Sequence, residues 1–214
     1  MSFRNRTEAA KKLAERLSAY KGKNPLVLAI PRGAVPMARV ITDALGGELD
    51  VVLVRKLGAP MNPELAVGSV DESGWAYVAD YAVSTGADAA YIEAEKQRQI
   101  EVMRKRRAQY TAARASIDPA GRIVIVVDDG LATGATMISA LHALRARKPA
   151  RLIAAVPVSP PDTLRKVEQL ADETVCLEVP EYFMAVGQFY AEFPQVEDDE
   201  VIAMLRAAQM PRQK

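Results

Sequence analysis

The chain has very little of several residue types that define whole classes of proteins. It contains one cysteine and one histidine among 214 residues, which excludes an internal disulfide framework and a structural zinc site. No apolar run in the sequence approaches the roughly 20 residues that a membrane-spanning helix needs. We therefore expect a cytoplasmic protein without a membrane partner, in which any bound metal is a hard cation held by oxygen ligands.

Net charge is also nearly absent. Lysine and arginine total 28 against 27 for aspartate and glutamate, which gives a formal net charge of +1. Such a balance creates no global field that attracts nucleic acid, so no nucleic-acid partner is expected and any anion site must be local. Half of the residues are hydrophobic, and the length favours a single domain over residues 1–214.

Short apolar strands alternate with helical segments along most of the chain, which is typical of an α/β fold with a mainly parallel sheet. Strands are predicted at 26–30, 51–55, 123–127, 151–158 and 174–179, and helices at 5–20, 34–45, 88–110, 136–147, 162–170 and 197–208. Residues 65–70 and 75–80 flank the turn DESG and predict an antiparallel hairpin. The hairpin and the long helix predicted at 88–110 together form an insert over residues 59–110.

The segment IVIVVDDGLATGAT joins an apolar strand to a helix through a turn that carries two acids. Asp128 and Asp129 follow the strand directly, at the sheet edge where open α/β sheets bind ligands. Residues 132–136 offer backbone N–H groups and hydroxyls at a helix N-terminus, which favours phosphate. Because carboxylates repel phosphate, the two acids are expected to face sugar hydroxyls or a hydrated Mg²⁺ ion. A ribose 5-phosphate suits both parts of the segment, because its phosphate fits the helix N-terminus and its hydroxyls fit the two acids. The alternative is a polar turn that binds nothing.

VIVVDDGLATGAT resembles the signature of the type I phosphoribosyltransferases, in which two acids and a Thr-Gly-x-Thr phosphate loop follow a hydrophobic strand. The resemblance implies that Asp128 and Asp129 bind the ribose 2- and 3-hydroxyls as catalytic residues and hold Mg²⁺, directly or through water. It also implies that the 5-phosphate is bound by Ala132, Thr133, Gly134, Ala135 and Thr136. The implied fold is type I phosphoribosyltransferase-like, with a small hood and a C-terminal helix over 180–214.

Two further segments resemble the pyrophosphate-binding elements of this family. IPRGAVP at 30–36 is similar to its first loop, which implies that Arg32 and the Gly33 amide contact pyrophosphate. VRKLG at 54–58 is similar to the Arg-Lys pair after the second strand, which implies that Lys56 reaches pyrophosphate and contributes to catalysis. A surface arginine in a tight turn and a solvated lysine are the alternative interpretations.

The insert over 59–110 falls where family members carry a flexible loop that closes over the reaction centre. Its helix carries a basic cluster that either clamps pyrophosphate or forms a solvated face, and glutamates nearby favour the solvated face. The cluster consists of Lys96, Arg98, Arg104, Lys105, Arg106 and Arg107. Glu64, where the insert leaves the core, is a proton acceptor, a specificity residue or simply an exposed side chain.

EYFMAVGQFYAEF at 181–193 lies where many members of the family build a hood over the nucleobase. Tyr182, Phe183, Phe189 and Tyr190 either stack on an aromatic acceptor or belong to the core. Ala132 replaces the acid that the 6-oxopurine salvage branch carries before Thr-Gly. The resemblance therefore names no particular base.

The resemblance implies an enzyme that transfers the phosphoribosyl group of 5-phosphoribosyl pyrophosphate (PRPP) to a nitrogenous base or related small acceptor and releases pyrophosphate. It also implies a homodimer. Two alternatives stay open: a non-catalytic regulator that binds the same ligand, and a hydrolase that uses water as the acceptor. Regulators of this family usually add a basic nucleic-acid surface, which the near-zero net charge argues against.

Overall fold

The computed structural model describes residues 2–209, which form eight strands and six α-helices. The strands are β1 (Leu26–Ala29), β2 (Glu48–Val51), β3 (Val54–Ala59), β4 (Asn62–Asp71), β5 (Ala76–Val78), β6 (Ile123–Val127), β7 (Arg151–Val158) and β8 (Glu173–Glu178). The helices are α1 (Arg6–Arg16), α2 (Ala34–Leu45), α3 (Ala89–Ala113), α4 (Ala135–Ala146), α5 (Pro161–Glu168) and α6 (Asp198–Gln209). No helix within residues 2–209 is both long enough and apolar enough to cross a bilayer.

A five-stranded parallel sheet in the order β2-β1-β6-β7-β8 forms the centre of the molecule. Alternate residues of β6, the central strand, face opposite layers of helices. Val124 and Val126 pack with α4, whereas Ile125 and Val127 pack with α1 and α2. Burial on both faces explains why the sequence of β6 is a continuous run of apolar residues. The α/β fold predicted from the sequence is confirmed, and most predicted elements agree with the structure within three residues.

The prediction of a single strand over 51–55 was wrong. Strand β2 ends at Val51, and the chain then leaves the parallel sheet to start β3 at Val54. Strands β3, β4 and β5 form a separate antiparallel sheet, so the predicted hairpin is part of a three-stranded unit. A buried apolar run does not reveal such a break, because Val52 and Leu53 are as buried as the strands on either side.

Helix α3 packs on the antiparallel sheet and on α6. The Tyr91 hydroxyl donates to the Gly58 carbonyl at 2.9 Å near its start, and the Tyr110 hydroxyl donates to Asp198 Oδ1 at 2.7 Å near its end. The Asp88 side chain accepts from the Tyr91 amide and caps the helix. These contacts fix both ends of α3 on the body of the protein.

Each residue of the basic cluster has a carboxylate oxygen within 4.0 Å. Lys96 pairs with Glu93, Arg98 with Glu95, Arg104 and Lys105 with Glu101, Arg106 with Asp198, and Arg107 with Glu72. The first four pairs lie along α3 itself, which supports the interpretation as a solvated helix face. The last two attach α3 to α6 and to the β4–β5 turn.

Candidate active site

The site is built where two neighbouring strands of the parallel sheet end. Strands β1 and β6 are adjacent, and the Ile30 amide donates to the Val127 carbonyl at 3.0 Å, so the loops that follow them meet. Strand β3 adds Lys56 from the side. All ten predicted ligand-binding residues line one cavity of about 310 Å³: Arg32, Gly33, Lys56, Asp128, Asp129, Ala132, Thr133, Gly134, Ala135 and Thr136.

One wall of this cavity is the turn that begins α4. The first N–H groups of an α-helix have no partner within the helix, so the start of α4 offers donors to an anion. Gly134 caps the helix with φ of +75°, a backbone conformation that glycine adopts without strain. A Cβ at this position would lie 2.6 Å from Thr163 Cγ2. The Thr163 hydroxyl donates to the Ala132 carbonyl at 2.8 Å, which attaches α5 to the turn.

Asp128 and Asp129 line the cavity beside the turn that begins α4. Asp128 accepts from the Asp129 amide at 2.9 Å and, more weakly, from the Thr136 hydroxyl at 3.4 Å. Burial and, second, the charge of Asp129 raise the pKa of Asp128 above its usual range. Burial also raises the pKa of Asp129, against the opposing effect of the Arg6 guanidinium. Removing water from two neighbouring carboxylates disfavours their ionised forms until a cation or donor reaches them.

Arg6 is a site residue that sequence reasoning missed. Its Nε and one terminal nitrogen donate to Asp129 Oδ2 at 2.9 and 2.8 Å. The Tyr190 hydroxyl donates to the backbone carbonyl of Asp129 at 2.7 Å. Residues far apart in the chain therefore converge on this one aspartate.

Gly33 allows the loop after β1 to lie against Asp129. The loop includes a cis peptide bond, between Pro31 and Arg32. A Cβ on Gly33 would overlap Asp129 Oδ2, at a separation that no side chain tolerates. Glycine at this position thus lets Asp129 keep its present place against the loop, because a Cβ would displace the carboxylate.

Arg32 lines the cavity but is already paired with acids of the C-terminal segment. One of its terminal nitrogens lies 3.0 Å from Glu197 Oε2 and 3.9 Å from Asp198 Oδ2. An anionic ligand must compete with these carboxylates for the guanidinium.

We expect Glu197→Gln to tighten the binding of pyrophosphate, because it removes the nearer of the two competing charges. The gain is about 1.5- to 5-fold, the range for one partly exposed ion pair. Calorimetric titration with pyrophosphate measures it. Asp199→Asn is the matched control, since Asp199 is exposed on the same turn and forms no ion pair with a described residue. Equal affinity of the Glu197 variant and the control would contradict this competition.

A second polar cavity of about 440 Å³ shares Ile30, Pro31, Lys56 and Thr136 with the first. Arg55 lines it and donates from Nε to Gln99 Oε1 at 2.9 Å. Burial lowers the pKa of Arg55, and the charges of Arg106 and Arg32 lower it further. Arg32 in the first cavity and Arg55 in the second thus bring two guanidinium groups to adjoining parts of the site. The Arg-Lys pair in VRKLG was the sequence signal that could have identified Arg55.

The aromatic tail contributes mainly to the core. Phe189 and Tyr190 are buried, whereas Tyr182 is 87% exposed. Phe183 packs on Phe189, with ring centroids 5.4 Å apart. Phe193, from the end of the same segment, lines the cavity together with Val186.

Glu64 is exposed on β4 and does not line either cavity. This position favours the last of the three interpretations, an exposed side chain.

The residues present fit Mg²⁺ in one particular manner. No group of three or more Asp, Glu, His and Cys residues that could hold a metal occurs among the described residues. The cavity offers two carboxylates and the Thr136 hydroxyl, all of them oxygen donors. Mg²⁺ commonly binds through one or two carboxylates and completes its shell with water and substrate phosphates. Asp128 and Asp129 suit such a shared site and do not form a closed protein cage.

The chain belongs to the phosphoribosyl transferase domain family, whose sequence model matches residues 3–193. It is 45% identical to a crystallised protein of Thermus thermophilus, TT1426, with a TM-score of 0.80; the similarity covers 97% of this chain and 99% of that one. Two curated Mycobacterium tuberculosis proteins, from strains H37Rv and CDC 1551, are each 42% identical over 207 residues, 96% of this chain. Both are named provisionally as phosphoribosyl transferases. The chain spans 47% of the length of each of these two relatives.

Proposed function

We propose that the protein is a phosphoribosyltransferase that binds PRPP with Mg²⁺ in the cavity at the ends of β1 and β6. It transfers the phosphoribosyl group to a nitrogenous base or related small acceptor and releases pyrophosphate. The observation that carries this proposal is that one cavity brings together the start of α4, two neighbouring carboxylates and the side chains of Arg32 and Lys56. Anion-binding backbone, carboxylates and cationic side chains suit the phosphate, the ribose and the pyrophosphate of PRPP, respectively.

Each part of PRPP has a distinct set of residues in this proposal. Residues 132–136 hold the 5-phosphate at the start of α4. Asp128 and Asp129 accept hydrogen bonds from the ribose hydroxyls. Arg32, the Gly33 amide and Lys56 bind pyrophosphate from the opposite side, where Arg55 adds positive charge.

The chemistry that this arrangement supports is displacement of pyrophosphate from ribose C1 through an oxocarbenium-like state. The residues hold both ends of PRPP and align the scissile bond with the acceptor. Arg32 and Lys56 stabilise the negative charge that develops on the departing pyrophosphate. Mg²⁺, when bound, neutralises further charge on the leaving group. Val186 and Phe193 close the hood side of the cavity with apolar surface, which limits the access of water to C1.

A turnover assay separates the proposal from its two alternatives. The protein is incubated with PRPP, Mg²⁺ and a panel of purines, pyrimidines and pyridine carboxylates, and pyrophosphate and ribose 5-phosphate are quantified. Pyrophosphate release that depends on one acceptor supports the transferase. Release of ribose 5-phosphate without any acceptor indicates a hydrolase, and binding without turnover indicates a regulator. The homodimer and the cytoplasmic location remain predictions from the sequence.

Lys56→Ala is expected to weaken PRPP binding far more than ribose 5-phosphate binding. Lys56 is exposed and lines the cavity. In this proposal its charge acts on the pyrophosphate, a group that ribose 5-phosphate lacks. Loss of one charge-assisted contact corresponds to roughly 10- to 100-fold in affinity. Calorimetry with both ligands measures the difference, with the exposed Lys11 on α1 replaced by Ala as the control. Equal losses for the two ligands would argue against this orientation of PRPP.

A further inference from the structure

We propose that Arg6 is a positioning residue that assigns different tasks to the two aspartates. Through its ion pair, Arg6 holds Asp129 for the ribose hydroxyls and leaves Asp128 as the carboxylate that meets the metal. This inference rests on the proposed function, because it concerns how the same cavity receives Mg²⁺ and PRPP.

The geometry fixes Arg6 on three sides. Two of its nitrogens donate to the same oxygen, Asp129 Oδ2, at 2.9 and 2.8 Å, and the third donates to the Pro194 carbonyl at 2.6 Å. The guanidinium carbon lies 3.7 Å from the centroid of the Phe193 ring. The side chains of Arg6 and Asp129 are only 11% and 18% exposed. A planar guanidinium fixed by stacking and hydrogen bonds holds its partner in one orientation.

The ion pair leaves the two oxygens of Asp129 in different states. Oδ2 is occupied by Arg6, whereas no side chain of another described residue donates a hydrogen bond to Oδ1. Oδ1 is therefore the atom of Asp129 that can accept from a ribose hydroxyl.

Asp128 has no comparable cation in contact. The partners of its carboxylate are the Asp129 amide and the Thr136 hydroxyl, and neither carries a charge. The charge of Lys56 lowers the pKa of both acids. A divalent cation that enters the cavity thus meets one carboxylate paired with a guanidinium and one without such a partner, and it is attracted more strongly by Asp128.

Arg6 also connects the N-terminal helix to the hood. Its contacts with Phe193 and the Pro194 carbonyl lie beside the Tyr190 hydroxyl, which donates to the Asp129 carbonyl. The position of Asp129 consequently depends on α1 and on the tail as well as on β6. A ligand that shifts Asp129 therefore also shifts the contacts that join this residue to the hood.

The test measures the affinities for Mn²⁺ and for PRPP, which the loss of Arg6 is expected to change in opposite directions. Mn²⁺, an oxygen-seeking divalent cation, is titrated alone and followed by water proton relaxation. PRPP is titrated by calorimetry at saturating Mg²⁺. Arg6→Gln is expected to bind Mn²⁺ about tenfold more tightly, because a nearby positive charge is gone. It is expected to bind PRPP about tenfold more weakly, because Asp129 is no longer held.

Arg6→Lys restores the charge without the two-pronged contact. It is expected to bind Mn²⁺ like the wild type and to recover PRPP affinity only in part. Arg16→Gln is the matched control, since Arg16 is exposed on the same helix and makes no ion pair with a described residue. A change of Mn²⁺ affinity in that control equal to the change in Arg6→Gln would overturn the proposal.

A purely structural role for Arg6 predicts a different pattern. If Arg6→Gln lowers both affinities together, or changes neither in a folded protein, Arg6 does not divide the tasks of the two acids. The Mn²⁺ titration stands independently of PRPP. If the wild type fails to bind PRPP, the proposed function fails, while the Mn²⁺ affinities of the three Arg6 forms still decide the electrostatic role of Arg6.

Discussion

Asp128→Asn is expected to raise the thermal stability of the protein and to abolish Mg²⁺-dependent binding of PRPP. The wild-type carboxylate is partly buried beside Asp129, and the loss of water and the neighbouring charge both raise its pKa. An amide of the same shape removes the cost of keeping charge at this position but lacks the negative charge that attracts a divalent cation. We expect a stability gain of roughly 1–3 kcal/mol at pH 8, since one pKa unit corresponds to about 1.4 kcal/mol.

The pH dependence of this gain follows from the sign of the pKa shift. With a raised pKa, the folded protein retains a proton that the unfolded chain has released above pH ~4. The wild type therefore loses stability relative to the variant as the pH rises from ~4 towards the folded-state pKa. Melting temperatures at pH 5 and pH 8 measure this, with the exposed Asp80 replaced by Asn as the control. An advantage for the variant that is larger at pH 5 than at pH 8 would contradict the shift.

Binding is tested with the double variant Asp128→Asn, Asp129→Asn. We expect it to remain folded and to lose at least about 100-fold in PRPP affinity, equivalent to two charge-assisted hydrogen bonds. Its stability gain is expected to be smaller than that of Asp128→Asn, because Arg6 then lacks a counter-charge. A folded double variant with wild-type affinity would remove the two aspartates from the site.

Gly134→Ala is expected to weaken the binding of both PRPP and ribose 5-phosphate by at least about tenfold. It is also expected to destabilise the fold by roughly 1–3 kcal/mol, because an L-residue at positive φ is strained. Here the φ is +75°, and the new Cβ also meets Thr163 Cγ2 at 2.6 Å. The turn must shift to relieve the backbone strain and the collision with Thr163, and the N–H groups at the start of α4 shift with it.

Thr163→Ser separates the two causes. Serine lacks the methyl group that collides with the new Cβ but keeps the hydroxyl that donates to the Ala132 carbonyl. The double variant Gly134→Ala, Thr163→Ser is expected to recover the part of the stability lost to the collision and none of the part due to positive φ. Chemical denaturation and calorimetry of the four proteins measure this, with Thr163→Ser alone as the control. Wild-type affinity for ribose 5-phosphate in Gly134→Ala would exclude the phosphate role of this turn.

The parts of the fold and site that are readable from the sequence are local in the chain. An apolar strand, two acids, a Thr-Gly-x-Thr turn and a helix lie within residues 123–146, and their geometry follows from strand and helix rules. The neighbouring position of the loop after β1 follows from the parallel α/β pattern. These features explain why the predicted ligand-binding residues line one cavity.

The missed features depend on contacts between distant segments. Arg6 lies 123 residues from Asp129, and a basic residue in the first turn of an amphipathic helix carries no signal for such a contact. The pairing of Arg32 with Glu197 joins residues 165 apart in the same way. The break at Val51 went unseen because the end of β2, the linker and the start of β3 are continuously apolar. The pattern of apolar residues indicates that a segment is buried, but it does not indicate which sheet a strand joins.

The most direct test of the account is calorimetric titration of the full chain with PRPP in the presence and absence of Mg²⁺. The account predicts binding that is strong with Mg²⁺, at least about tenfold weaker without it, and lost in the double aspartate variant. No binding of PRPP under either condition by the folded wild type would contradict it.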